Sequence, residues 1–350
     1  MAIKRLVLEK FTVFDNLSVD FAKGINILTG VNGTGKTHIL KVLYSACRAT
    51  HVNKTAVDFP AKLANVFRPD DSQLHRLIKR GVAGNAKIRI SSYRFDKKSG
   101  EKKAPTKPLV LEINAKPQIP AKSQGEKTWH EQSDDLISTF IPAKEILSNA
   151  RNLINAITVN NVDFDDTYKD IISAAGVNIS KKPDSARTKK YLEILQGITS
   201  GSVTIKDEKF YLITGNQSAL EFQLVAEGIR KIALLWQLIK NGTLEKDSIL
   251  FWDEPEANIN PVHIPVLAEM LLELQRDGVQ IFIATHDYFV AKYFEVKCKQ
   301  NDDVKFFSFY KDAENVLCAG DSSFRDLPRN SILETFIRLY EEEVEKVMQI

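Results

Sequence analysis

With 350 residues, 43% of them apolar and 27% charged, the chain has the composition of one large globular domain or two ordinary ones, which excludes a disordered or fibrous protein. Lys and Arg number 48 against 45 for Asp and Glu, and a net charge of +3 by itself predicts neither a nucleic-acid nor an anionic-membrane partner. The three cysteines, Cys47, Cys298 and Cys318, lie far apart without CxxC or Cys/His ligand spacing, which argues against a disulfide framework or a zinc site and fits a reducing compartment.

Three short strands are expected first, at Ile3–Glu9, Leu17–Phe21 and Ile25–Leu28, with turns at Asp15-Asn16 and Lys23-Gly24. The opening Leu6-Val7-Leu8-Glu9-Lys10-Phe11 lacks the continuous apolar core of a signal peptide. A helix is expected from Lys36 to Arg48, where Ile39, Leu40, Leu43 and Cys47 recur at helical spacing. Ala86–Phe95 and Leu109–Ile113 read as a hairpin around a basic loop with Lys97, Lys98, Lys102, Lys103 and Lys107. That loop, like Lys181, Lys182, Arg187, Lys189 and Lys190, either tracks a phosphate backbone or is simply solvated.

From Asp134 to Leu195 the spacing of apolar residues, among them Leu136, Ile137 and Phe140, predicts mostly helix, interrupted at Lys181-Lys182-Pro183-Asp184. A second hairpin follows at Val203–Ile205 and Phe210–Ile213, then a strongly apolar helix over Ile229–Ile239. Ser248–Trp252, a helix from Pro261 to Arg276, and Gln280–Ala284 make a parallel βαβ unit buried on both faces. Tyr340–Val347 is an acidic amphipathic helix, either a surface helix or a dock for a partner. No run of about 20 apolar residues occurs, so the expectation is a soluble, cytoplasmic chain with no membrane span.

Gly30-Val31-Asn32-Gly33-Thr34-Gly35-Lys36-Thr37 fits GxxxxGK[ST] and sits where such a loop works, after a predicted strand and opening a helix. The amides of Asn32, Gly33 and Gly35 and the helix dipole would face a nucleotide phosphate. Lys36 would bridge the β- and γ-phosphates of ATP, and Thr37 would ligate Mg²⁺. Ser248–Trp252 ends in Asp253-Glu254, two carboxylates suited to hold Mg²⁺ (Asp253) and to polarise an attacking water (Glu254). His286 closes the next strand in Thr285-His286-Asp287 and would reach the same strand-end crevice as a γ-phosphate sensor.

These motifs, with Leu6–Phe11 and Phe14, Gly24–Gly33 and Asp253-Glu254-Pro255-Glu256-Ala257-Asn258-Ile259-Asn260-Pro261, resemble the ATPase domain of the ATP-binding-cassette superfamily, and more closely the RecF/SMC-like and overcoming-lysogenization-defect ATPases. The resemblance covers both ends of the chain and leaves the middle unassigned. It implies an α/β fold, a P-loop NTPase of the ABC type with an antiparallel β subdomain and a helical lobe. The single domain 1–350 would divide into an N-terminal lobe 1–125, a helical insertion 126–220 and a C-terminal lobe 221–350.

The resemblance also places Asn258 in a loop that crosses a dimer interface, and Leu224–Lys231 in the signature helix. Where the family reads Ser-x-Gly this chain has Ala226-Glu227-Gly228. Gly228 would close over the nucleotide of another subunit. The missing hydroxyl removes a charge-assisted hydrogen bond of about 1.5–3 kcal/mol, and Glu227 would repel a phosphate unless turned away, for instance toward Arg230. Slow turnover is therefore expected. Ile141-Pro142-Ala143-Lys144-Glu145-Ile146 resembles a junction in small defence ATPases, with Lys144 either a sensor or part of an ordinary helix start.

A transporter motor is disfavoured by the altered signature, and a chromosome-structure ATPase by the absence of hundreds of heptad residues. The chain resembles instead the ATPase subunits of bacterial anti-phage systems of the Septu, PARIS and retron-associated kinds. The resemblance implies a homodimer or higher oligomer that closes around MgATP and controls a separate nuclease or toxin effector. The alternative is a DNA-repair or recombination ATPase of the RecF/SMC type.

Overall fold

The computed structural model describes residues 1–49, 57–93, 107–133, 136–159, 164–179, 183–215 and 219–348. Strands β1 (Ala2–Phe11) and β2 (Phe14–Asp20) pair antiparallel, β3 (Ile25–Gly30) runs into the glycine-rich turn, and α1 (Lys36–Arg48) has the predicted bounds. After α2 (Phe59–Phe67), capped by the Asp58 carboxylate on the Ala61 amide, come β4 (Ala86–Tyr93), β5 (Leu109–Ile113) and β6 (Lys122–Gln124). With the first two strands they form an antiparallel sheet ordered β2-β1-β4-β5-β6. Its strands alternate as half-buried strands do, with Ala86, Ile88 and Ile90 inside. Lys97, Lys98, Lys102 and Lys103 of the basic loop, and Lys181 and Lys182, lie outside the described residues.

The middle of the chain holds α3 (Glu126–Ser133), β7 (Ser138–Ile141), α4 (Ala150–Val159), α5 (Asp166–Ala175), α6 (Ala186–Thr199), and the small antiparallel sheet of β8 (Ser202–Lys206), β9 (Lys209–Ile213) and β10 (Leu220–Glu221). Strand β7 corrects the helical expectation around Leu136–Phe140. All four of its residues are buried, and a short run buried on both faces carries no period that would separate strand from helix. The helix start proposed at Pro142 is also absent, since α4 begins only at Ala150 after a 3₁₀ turn at Leu147–Asn149.

The last third contains α7 (Glu227–Lys240), β11 (Ile249–Asp253), α8 (Ile264–Arg276), β12 (Gln280–Ala284), α9 (Tyr288–Lys297), β13 (Val304–Asp312), β14 (Asn315–Asp321) and α10 (Ser331–Met348). The central sheet is ordered β14-β13-β3-β12-β11-β7, parallel from β13 to β7 with β14 antiparallel at one edge. The βαβ unit β11–α8–β12 is as expected. The β13–β14 hairpin was not foreseen.

Period-two geometry divides this sheet between two cores. Leu28, Ile249, Phe251, Phe282 and Phe307 face α1 and the antiparallel sheet, with Phe251 and Phe282 stacked at 5.1 Å. Ile27, Leu250, Trp252, Ile281 and Ile283 face the helices. The buried Gln280 amide ties the two sheets together: its Oε1 accepts from the Ile3 amide at 2.7 Å, and its Nε2 donates to the carbonyls of Ile3 and Ala22, each at 2.8 Å.

Helix α5 and the residue that caps it are fastened to α1 and α2 by charge and hydrogen bonds. Lys62 of α2, 6% exposed, places its ammonium 2.8 Å from Asp166 and 2.7 Å from Asp170 of α5. Lys41 of α1 pairs with Asp165, and the Tyr44 hydroxyl donates to Asp170 at 2.6 Å.

Candidate active site

Strands β3, β12 and β11 are neighbours in the sheet and parallel, so their C-terminal ends bring three distant parts of the sequence to one edge, the place where ligands bind in open α/β sheets. At the end of β3 the chain turns through Gly30, whose φ is +134°. A β-carbon there would stand 2.1 Å from the Phe309 carbonyl oxygen, so only glycine fits. The turn then winds to α1, and the Lys36 ammonium lies across it, donating to the carbonyls of Gly30 at 2.7 Å and Val31 at 3.1 Å. Burial holds the Lys36 pKa below its ordinary value, opposed by the nearby carboxylates of Glu254, Asp253 and Glu256. Asn32 and Gly33 are exposed at the rim. A second cation that the sequence did not single out stands there: Lys311 of β13 reaches over Gly33, its Nζ 3.8 Å from the place a β-carbon would take.

The Thr37 hydroxyl donates to the Asp253 carboxylate, 3.0 Å from each oxygen, which joins the first and last thirds of the chain at the site. This pair suits Mg²⁺, which binds through one or two protein oxygens and takes its other ligands from phosphate and water. Burial, with the Glu254 charge adding to it, pushes the Asp253 carboxyl up to about 6 against the Thr37 hydrogen bond.

Glu254 leaves β11 in a left-handed turn, φ +48°, a conformation that persists only where its surroundings fix it. Its amide donates to the Ala284 carbonyl at 2.8 Å, and its own carbonyl accepts from the Ala257 amide at 3.1 Å. The side chain stays partly exposed, 3.3 Å from Nδ1 of His286.

Two further residues complete this corner. Glu256, missed in the sequence, accepts the Thr285 hydroxyl at 2.7 Å and the His286 amide at 3.3 Å, and burial raises its pKa. Lys231 of α7, 1% exposed, donates to the Ala257 carbonyl at 2.8 Å. A lysine inside the apolar run Ile229–Ile239 was the only sign of it.

Gly228, on the first turn of α7, backs directly onto the loop after Glu254; a β-carbon there would meet the Asn258 carbonyl oxygen at 2.3 Å. Ala226 caps the helix without a side-chain hydrogen bond. Arg230 is not turned to Glu227, as the sequence allowed, but to Glu145, 2.7 Å from its Nε, and it also donates to the carbonyls of Phe222 and Val225. The segment after β7 thus meets α7 through Glu145, while Lys144 is exposed. Gly30, Val31, Asn32, His286 and the first turns of α10 border a cavity of about 450 Å³.

The raised Asp253 carboxyl makes a signed prediction. Unfolded, it ionises near its ordinary value of about 4; folded, only near 6, so the native state binds the extra proton in between and loses stability as pH rises through that window, by about 3 kcal/mol in all. Asp253→Asn should therefore melt above the wild type at pH 7.5 in nucleotide-free buffer with EDTA, by a margin that shrinks as pH falls from 6 toward 4. A variant less stable at pH 7.5, or a margin flat with pH, would contradict it.

A family model described as "AAA domain, putative AbiEii toxin, Type IV TA system" matches residues 25–291. A stretch of 44 residues is 50% identical to the DNA replication and repair protein RecF of Clostridium acetobutylicum; it is 13% of this chain and spans only 12% of that relative's length. Among solved structures, the Smc head bound to the C-winged helix domain of ScpA superposes with a TM-score of 0.58 at 13% identity, over 92% of this chain and 98% of that one. An Smc head domain with an extended coiled coil, bound to the C-terminal domain of ScpA derived from Pyrococcus furiosus, gives 0.57 at 12% identity, over 97% and 99%. These likenesses show the fold, that of an ABC-type P-loop ATPase head. Among the described residues no helix is long and apolar enough to cross a membrane.

Proposed function

The chain belongs to this AAA-domain family, and we propose that it is an ATP-binding and ATP-hydrolysing switch that dimerises around ATP and controls a separate effector in a bacterial anti-phage defence or toxin system. The observation that carries the ATPase part is the contact of Thr37 with Asp253 at 3.0 Å, beside Lys36 and Glu254. Lys36 and the amides of Asn32, Gly33 and Gly35 bind the β- and γ-phosphates. Thr37 and Asp253 hold Mg²⁺, whose charge offsets that of the phosphates. Glu254 orients the attacking water and takes its proton, and His286 contacts the γ-phosphate.

Across the dimer, the open N-terminus of α7 at Ala226-Glu227-Gly228 closes over the partner's nucleotide. Without a serine hydroxyl there, turnover is slow. The family's description as a toxin-system domain, matched over 25–291, favours control of an effector. The short identity with RecF favours the second reading, a repair ATPase acting on DNA. The Smc heads in the two superposed structures each bind ScpA, and a protein partner on this head fits the first reading.

Lys36→Ala tests nucleotide binding. Loss of charge-assisted bonds worth about 1.5–3 kcal/mol each should weaken MgATP roughly tenfold or more, lowering the ATP-induced rise in melting temperature at a fixed nucleotide concentration. A variant stabilised by MgATP as much as the wild type would refute the assignment. ATPase stimulated by DNA would select the repair reading, and stable copurification with a nuclease or toxin the defence reading.

A further inference from the structure

From Glu334 to Met348 every residue of α10 is exposed. A helical segment of this length is marginal in water unless something packs on it, and this one carries an apolar row: Ile337 is 46%, Tyr340 62%, Val344 38% and Val347 82% exposed. With Leu333, which packs against the body of the protein, these residues are spaced by four, three, four and three. That is the 3.5-residue repeat of a coiled-coil seam, with Ile337 and Val344 at a and Leu333, Tyr340 and Val347 at d.

Of the remaining apolar residues of α10, Met348 is exposed at the helix end and three contact the body of the protein. Phe336 stacks on Tyr288 at 3.9 Å, and Ile332 and Leu339 line the cavity beside the glycine-rich turn, on a face about 100° around the helix from the seam.

We propose that α10 pairs through this seam with α10 of a second copy of the chain, as a parallel two-stranded coiled coil that forms without nucleotide. β-Branched Ile337 and Val344 at a, with Leu333 at the d position nearest the folded body, fit two strands in parallel. In that arrangement each g position meets the e position of the partner's next heptad, so Phe336 faces Glu341 and Glu343 faces Met348, and no carboxylate opposes another. An antiparallel pair centred on Tyr340 would set Glu341 against its own copy. Arg338, Glu342, Glu345 and Lys346 point outward in either case and keep the coil soluble. Two heptads make a modest contact, anchored at one end by Leu333 on the folded body. It is separate from the nucleotide-dependent closure proposed above and does not rest on it.

The test uses the full chain without nucleotide. By light scattering the wild type should have twice the chain mass and Ile337→Glu/Val344→Glu the mass of one chain. Under mild oxidation Val344→Cys should form a covalent dimer, since a positions approach within disulfide range in a parallel coil, whereas Glu342→Cys on the outer face should match the parent chain. An unchanged shift in melting temperature with MgATP checks that the variants keep the folded body. Equal masses for wild type and the double-glutamate variant, or equal cross-linking at 344 and 342, would overturn the proposal. So would a monomeric wild type whose double-glutamate variant instead loses a copurifying effector, for then the seam belongs to another protein.

Discussion

Glu254→Gln should leave ATP bound and lower its hydrolysis by roughly a hundredfold to ten-thousandfold, the range lost with a positioned general base. The geometry makes this substitution specific. The backbone of Glu254 is fixed by Ala284, by Ala257 and, through the Ala257 carbonyl, by Lys231, so the amide of glutamine stands where the carboxylate stood, within reach of His286. What it lacks is the basicity to take a proton from water.

If ATP holds the dimer closed, its hydrolysis releases it, so the variant should also accumulate the closed dimer in MgATP. Phosphate release, bound-nucleotide content and, in an Ile337→Glu/Val344→Glu background that removes the α10 pairing, mass in MgATP read the three parts separately. A Glu254→Gln variant that turns over at the wild-type rate would remove Glu254 from its role.

Lys62→Met should destabilise the fold by about 3–5 kcal/mol, the usual cost of removing one member of a buried charge cluster. Asp166 and Asp170 both lie against the Lys62 ammonium. Burial alone would raise the Asp166 carboxyl, and the hydrogen bond and charge of Lys62 outweigh it, holding that pKa below its ordinary value. Tyr44 is driven far up by burial and by Asp170, so it stays neutral and supplies a hydrogen bond but no charge.

Removing the lysine leaves Asp166 and Asp170 underpaired inside the protein, with Arg48, 3.6 Å from Asp170, and the partly exposed Lys169, 3.5 Å from Asp166, as incomplete replacements. The urea midpoint should fall, and Lys62→Met/Asp170→Asn should recover part of the loss, which a double-mutant cycle measures as coupling. A loss under 1 kcal/mol would show that the cluster is solvated in solution.

The sequence made the site legible where spacing is local. The turn at Gly30–Thr37 and the pair Asp253-Glu254 carry their chemistry in contiguous residues, and the apolar strands before them fixed their place at a sheet edge. His286 could be placed because β12 follows β11 by one helix. Interactions across long gaps had no such trace: Lys62 and Asp170 are 108 residues apart, and nothing near either names the other.

Glu256 lay in plain view in the acidic turn, but its bond to Thr285 depends on how two loops meet. Arg230 was read against Glu227 because they are three residues apart, and the fold offered it Glu145 instead. Strand β7 failed for a different reason, since four buried residues look the same in helix and strand.

That strand limits how the chain can be trimmed. Cutting out 126–220 to keep a minimal two-motif core would strip the outermost member from the central sheet and leave the amides and carbonyls of β11, among Ile249, Leu250, Phe251 and Trp252, open along a flat apolar margin. Such a margin recruits strands from other molecules. The truncated protein should precipitate or form fibrils before its catalysis could be assayed, and a usable deletion must retain Ser138–Ile141.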